Sequence, residues 1–274
     1  MRLTRWLVFM SMFFAMTALA QPLVGVNTKG MAKNEIESLK QLLNTGQCPC
    51  QPQKSLLDCV QANSCPAATE LAEFGAGKLR EGLGFDQVSE AVVKKYINDH
   101  VRYEFDLKDS PRKGAPQPKI TIVEFADFEC PHCAEMRSIL DQVVKKFPND
   151  VALVFKQFPL PHHPFSNGAA RAALAAQRQG RFWQMHDVLF MNQGRFNDNK
   201  FVELAREIGI DAERFKKDMN DQTLYAMIER DRQEAMKANI SGTPAIYIDG
   251  RMYMEDKTPD KISAYIQNAL KKKK

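Results

Sequence analysis

The stretch Cys130-Pro131-His132-Cys133 constrains this chain more than any other. It falls between a short apolar run, Ile120 to Ala126, with the character of a buried strand, and a helical pattern from Cys133 to Phe147 closed by Pro148. Cys130 therefore stands at a helix N-terminus, where unpaired N–H groups and the helix dipole favour an anion, so a thiolate is stabilised there. Pro131 suits the first helical turn, where its missing N–H costs nothing, and His132 adds a cation and donor. The pattern predicts Cys130 as the exposed attacking sulfur with a depressed pKa and Cys133, one turn further in, as the buried resolving thiol. A static disulfide and half of a metal site are the competing readings.

What such a dithiol can do depends on its compartment. The chain opens with Arg2 and Arg5, then an apolar run from Trp6 to Ala20 ending in the small-x-small pattern Ala18, Leu19, Ala20. Residues 1–20 read as a secretory signal peptide cleaved near Ala20, with an uncleaved anchor as the alternative. The mature protein is then soluble and periplasmic or secreted, where thiols are oxidised unless a dedicated system reduces them. Without Arg2 and Arg5 the 38 basic residues fall to 36 against 33 acidic ones, a net charge of +3, which is too weak to imply a nucleic-acid partner.

Two folded parts are expected beyond the leader. Helical spacing begins with Ile36, Leu39, Leu42 and Leu43, returns with Leu56, Leu57 and Val60, and continues in a third helix capped by Ser64 with Pro66 in its first turn. Val88, Val92, Val93, Tyr96 and Ile97 give a fourth helix, so residues 34–106 read as a small all-helical, Cys-rich domain. Residues 107–118, rich in proline and charge, read as a linker. Residues 119–272 read as α/β: the first strand, its helix, a second strand at Val151 to Gln157, a helical block over about 160–240, and a hairpin around Asp249-Gly250. A terminal helix, Thr258 to Leu270, closes the chain.

In the helical domain Cys48, Cys50, Cys59 and Cys65 crowd together. In an oxidising compartment two structural disulfides are the expected use. Four cysteines allow three pairings, and a Cys48–Cys50 ring would be strained, so the bridges are expected to run from the first two cysteines to the last two. A four-cysteine zinc site and a second redox centre are the alternatives.

Glu124 interrupts the apolar strand six residues before Cys130, and a carboxylate inside a covered sheet is costly unless it has a task, which makes it a proton-relay candidate. Asp127 and Glu129 are expected as solvated charges. His162 and His163, adjacent in a Pro-rich turn, cannot easily aim at one ion, so no metal is expected there. His186, among Phe182, Trp183 and Phe190, reads as a hydrogen-bonded core histidine, and Lys271 to Lys274 as a solvated tail.

The run Val123 to Cys133, including the Pro-His pair between the cysteines, resembles the DsbA-like thioredoxin-fold thiol:disulfide oxidoreductases. Ser241-Gly242-Thr243-Pro244 resembles the family's cis-proline loop, and the resemblance covers residues 119–272, helical insertion included. It implies a thioredoxin fold, Glu124 beneath the dithiol to exchange a proton with Cys133, and Thr243 and Pro244 as the backbone against which an extended substrate pairs. It implies cysteine-containing secreted proteins as substrates, a membrane redox partner and no cofactor. Pro-His favours an oxidase, whereas Thr before Pro244 resembles isomerases and reductases; a metal-binding or chaperone module is the alternative of a different class. Residues 48–106 are similar to the helical module of cytochrome c maturation thiol reductases, but Cys-x-Cys replaces that family's Cys-x-x-Cys, so no catalytic role carries over to Cys48 or Cys50.

Overall fold

The computed structural model describes residues 23–273; the expected leader, residues 1–20, lies outside them. The chain divides into two compact units between Val93 and Lys94.

The first unit is helical. Helices α1 (Lys33–Thr45), α2 (Leu56–Gln61), α3 (Pro66–Arg80) and the first half of α4 (Phe85–His100) bury Leu39, Leu42, Leu43, Leu56, Val60, Leu71, Leu79 and Val88. Two disulfides, Cys48–Cys59 and Cys50–Cys65, join its loops to α2 and to the start of α3. The N-cap of α3 is Cys65, one residue after the expected Ser64, because Pro66 takes the first helical position.

The second unit carries a five-stranded sheet of order β1-β3-β2-β4-β5, with strands Arg112–Gly114, Ile120–Ala126, Val151–Gln157, Ala245–Ile248 and Arg251–Met252. The central pair β2 and β3 is parallel and nearly all buried, as its continuous apolar sequence requires, while β4 runs antiparallel to β2. On one face α5 (Pro131–Lys146) and α11 (Pro259–Lys271) enclose Ile120, Ile122, Leu140, Leu153, Ile246 and Ile262. Between β3 and β4 five helices, α6 (Ser166–Gln177), α7 (Phe182–Met191), α8 (Asp198–Glu207), α9 (Ala212–Met219) and α10 (Gln222–Lys237), form the insertion, with a core of Ala, Leu and Phe side chains that reaches Cys130 and Cys133.

Two boundaries differ from the sequence reading. Residues 107–118, expected as a linker, contain β1, whose Arg112 to Gly114 pair antiparallel with β3 and extend the sheet edge. Residues 101–106, expected in the helical domain, pack on the sheet of the second unit: Tyr103 and Phe105 stack edge-on against Tyr247, and Phe105 against Phe125. The apolar content of this segment is carried by two aromatic rings spaced by one residue, a strand-like period too short to register as a pattern. Its backbone passes so close to the β4–β5 turn that a Cβ on Gly250 would lie 2.4 Å from the Tyr103 carbonyl, and Gly250, at φ +76°, is the residue that fits.

Candidate active site

The dithiol lies where the apolar strand β2 hands over to α5. Cys130 is the N-cap of α5 and Pro131 its first residue. The Cys130 carbonyl accepts from the amides of Cys133 and Ala134 at 3.1 and 3.3 Å, which fixes the first turn. Both cysteines are free thiols. Cys130 is more covered than expected for an attacking sulfur, at 6% exposure against none for Cys133. The loop before β4 comes close to it: the Thr243–Pro244 bond there is cis, and the Cys130 sulfur lies 3.4 Å from the Thr243 carbonyl.

The two sulfurs are strongly differentiated. The Cys133 thiol donates to the Cys130 sulfur and, with the Thr243 side chain and the amides of Cys133 and His132, outweighs burial and holds the Cys130 pKa down to about 5. Cys133 is driven the opposite way, first by burial, then by its bond to Cys130 and the nearby carboxylate of Glu124. The Thr243 hydroxyl is buried with no settled hydrogen-bond partner and lies near enough to both sulfurs to lower the pKa of each, a contribution that sequence reasoning missed, having assigned only the backbone of this residue.

The His132 side chain does not take the place assigned to it. Its ring is 78% exposed and lies 3.5 Å from Glu135 on the same helix face, so the residue acts on the sulfur through its backbone amide. Exposed pairs of this kind are weak. His132→Ala is therefore expected to move the thiolate absorbance midpoint of Cys130 by less than about half a pH unit; a shift of a full unit would restore the side-chain role.

Glu124 is buried at the centre of the sheet, paired in register with Phe155 and Ile246 on either side. Neither carboxylate oxygen has a hydrogen-bond partner. Burial pushes its pKa up to about 8 against the opposing pull of Lys113 and Lys257, with Asp141 adding to the rise. It is thus a largely protonated carboxyl at neutral pH, close enough to Cys133 to act on it electrostatically.

Asp127 is not a solvated charge, whereas Glu129 is only half-buried. Asp127 is 1% exposed and accepts from the Glu129 amide at 2.7 Å, the Leu160 amide at 2.7 Å and His163 at 2.8 Å. Glu129 accepts from the Phe165 amide just before α6. The side chain of Gln193, after α7, donates to the carbonyls of Phe128 and Cys130, both at 2.9 Å, and Lys257 donates to the Pro244 carbonyl at 3.0 Å. Apart from the Glu129 amide and Lys257, these anchors come from residues 33 to 65 positions away from the groups they hold, and no local pattern announces them. His186 is a core histidine as expected: it contacts Asp187 at 2.9 Å, and burial keeps it neutral by lowering its pKa. Among the described residues no cluster of His, Cys, Asp and Glu suited to a metal occurs, and the four N-terminal cysteines, being disulfide-bonded, offer no thiolate to zinc. No helix of the described residues is long and apolar enough to cross a membrane.

A sulfur that is charged at neutral pH beside one that is not, facing a turned backbone on this sheet, defines a dithiol protein whose chemistry is exchange with other thiols and disulfides. The chain belongs to the thioredoxin family: a family model described as thioredoxin matches residues 106–268, more than half of its length. Within that family it is a thiol:disulfide oxidoreductase of the DsbA-like type. A thioredoxin-like oxidoreductase from Silicibacter pomeroyi DSS-3 superposes with a TM-score of 0.55 at 30% identity, covering 60% of this chain and 94% of that one. A periplasmic thioredoxin-like protein from Salmonella enterica serovar Typhimurium superposes with a TM-score of 0.51 at 26% identity, covering 65% and 96%. Among curated proteins the Na(+)/H(+) antiporter NhaA 1 of Salinispora arenicola (strain CNS-205) is 30% identical over 189 residues, 67% of this chain and 27% of that protein. The chain thus spans about a quarter of the length of the curated relatives it matches.

Proposed function

We propose that this protein is a thiol oxidase that introduces disulfides into cysteine-containing secreted proteins in the periplasm. The observation that carries the reading is the placement of Cys130 at the N-terminus of α5, against the cis-proline loop and beside the buried Cys133 thiol, which together hold its pKa down to about 5. Stabilising the thiolate stabilises the reduced dithiol, so the Cys130–Cys133 disulfide gives itself up readily to substrate thiols. A substrate thiolate attacks Cys130 in the disulfide, and Cys133 leaves. A second substrate thiolate then attacks the substrate sulfur of the mixed disulfide, releasing the product disulfide and the Cys130 thiolate. The extended substrate lies against the backbone of Thr243 and Pro244. Glu124 receives or returns the Cys133 proton.

The reduced enzyme is returned to its disulfide by a membrane redox partner. The basic, apolar leader and the periplasmic thioredoxin-like protein of Salmonella support the compartment. Equilibration with glutathione followed by thiol trapping tests the direction. A potential towards the oxidising end of the scale, nearer about −120 mV than about −270 mV, is expected; a value close to −270 mV would make the protein a reductase.

A further inference from the structure

The two disulfides of the N-terminal unit are not equivalent. Cys48 and Cys59 are both buried, and Cys59 lies inside α2. In the other bridge Cys65 is fully buried whereas Cys50 is exposed. Cys65 also occupies a local structure seen elsewhere among the described residues only at the dithiol. It is the N-cap of a helix whose first residue is proline, its side chain makes no cap hydrogen bond, and the first turn carries no acidic residue. The same is true of Cys130 and α5. The Cys65 carbonyl accepts from the amides of Ala68 and Thr69 at 3.0 and 3.3 Å, as the Cys130 carbonyl accepts from Cys133 and Ala134 at 3.1 and 3.3 Å.

We propose that Cys50–Cys65 is a second redox-active disulfide, which accepts electrons from dithiols while Cys48–Cys59 remains a structural bridge. An incoming thiolate attacks the sulfur of Cys50, the exposed residue of the pair. The Cys50–Cys65 bond breaks, a bond between Cys50 and the incoming sulfur forms, and the electron pair leaves on Cys65. That thiolate is generated at the N-terminus of the 15-residue helix α3, where the partial positive charge of the helix end stabilises it and makes it a better leaving group. The second thiol of the reductant loses its proton to water and attacks the reductant's own sulfur in the mixed disulfide, expelling Cys50 as a thiolate that is reprotonated from water. The dithiol ends as a disulfide, and Cys50 and Cys65 have gained its two electrons. Cys48–Cys59 presents no open sulfur to begin the same sequence. The proposal does not depend on the direction in which Cys130 and Cys133 work.

The test uses the full chain carrying Cys130→Ser and Cys133→Ser, so that only the N-terminal bridges can react. It is titrated with dithiothreitol, quenched with iodoacetamide and mapped by peptide mass spectrometry, with far-ultraviolet circular dichroism followed in parallel. Cys50 and Cys65 are expected to be alkylated at dithiothreitol concentrations at least about tenfold below those that open Cys48 and Cys59, with the helical signal retained. Opening of both bridges together, prior opening of Cys48–Cys59, or loss of helix in step with the opening of Cys50–Cys65 would each overturn the proposal, the last by marking this bridge as a structural staple.

Discussion

Replacing Cys130 with Ala is expected to lower thiol oxidation and disulfide exchange by more than about 10³-fold, since the attacked sulfur of the disulfide and the stable thiolate of the dithiol are the same atom. Cys133→Ala should behave differently. Cys130 then keeps its thiolate-favouring helix end and the Thr243 side chain, but loses its strongest hydrogen-bond donor and its resolving partner. This variant should therefore accumulate mixed disulfides through Cys130, visible as adducts on non-reducing gels, with a Cys130 pKa higher than in the parent. Equal turnover in the parent and the Cys130 variant would remove the site from the chemistry altogether.

Glu124→Leu is expected to stabilise the protein while slowing it. The folded-state pKa of about 8 lies above the ordinary carboxyl value of 4.5, so between these limits the unfolded chain ionises and the folded one resists. Stability contributed by the neutral carboxyl is complete below about pH 4.5 and is lost as pH rises towards about 8, at roughly 1.4 kcal/mol per pH unit. Near pH 7.5 the carboxyl costs on the order of 4 kcal/mol, and its removal should return that amount. Chemical denaturation of parent and variant at pH 4.5 and pH 7.5 measures it: the gap between them should open with rising pH. The same substitution takes away the group proposed to exchange a proton with Cys133, so reactions in which Cys133 attacks or leaves should slow if that proposal holds. A variant that is faster, or whose stability gain is independent of pH, contradicts the assignment. The arrangement is a trade of stability against activity confined to one residue.

How much of this was legible in the sequence depends on the range of the signal. Cys130, Pro131 and Cys133 could be placed because a strand, a turn and a helix follow one another without a break from Ile120 to Lys146, and strand and helix each have their own period. Thr243 and Pro244 lie more than a hundred residues away, yet they precede a strand and a hairpin that also read locally, and resemblance placed them opposite the dithiol. The misreadings share a cause. An Asp or Glu in a short polar stretch looks solvated, and nothing near Asp127 in the chain signals that Leu160 and His163 close over it. The sequence likewise shows Lys156 as a single charge in an apolar strand, while its partners Asp231 and Glu234, at 2.9 and 2.7 Å, come from α10. The role of the His132 ring failed for a geometric reason: a side chain on the first turn of a helix can point outward, and this one does.

The anchoring of the catalytic turn bears on how far this scaffold could be reduced. Gln193 and Phe165 belong to the insertion or its approach, and both hold residues of the turn that carries Cys130. The five inserted helices are thus part of the frame of the dithiol. A designer who excised them to obtain a minimal thioredoxin would free the carbonyls of Phe128 and Cys130, bare the Phe side chains packed behind Cys133, and have to supply new donors and a new lid before the remaining sheet could hold the sulfur in place.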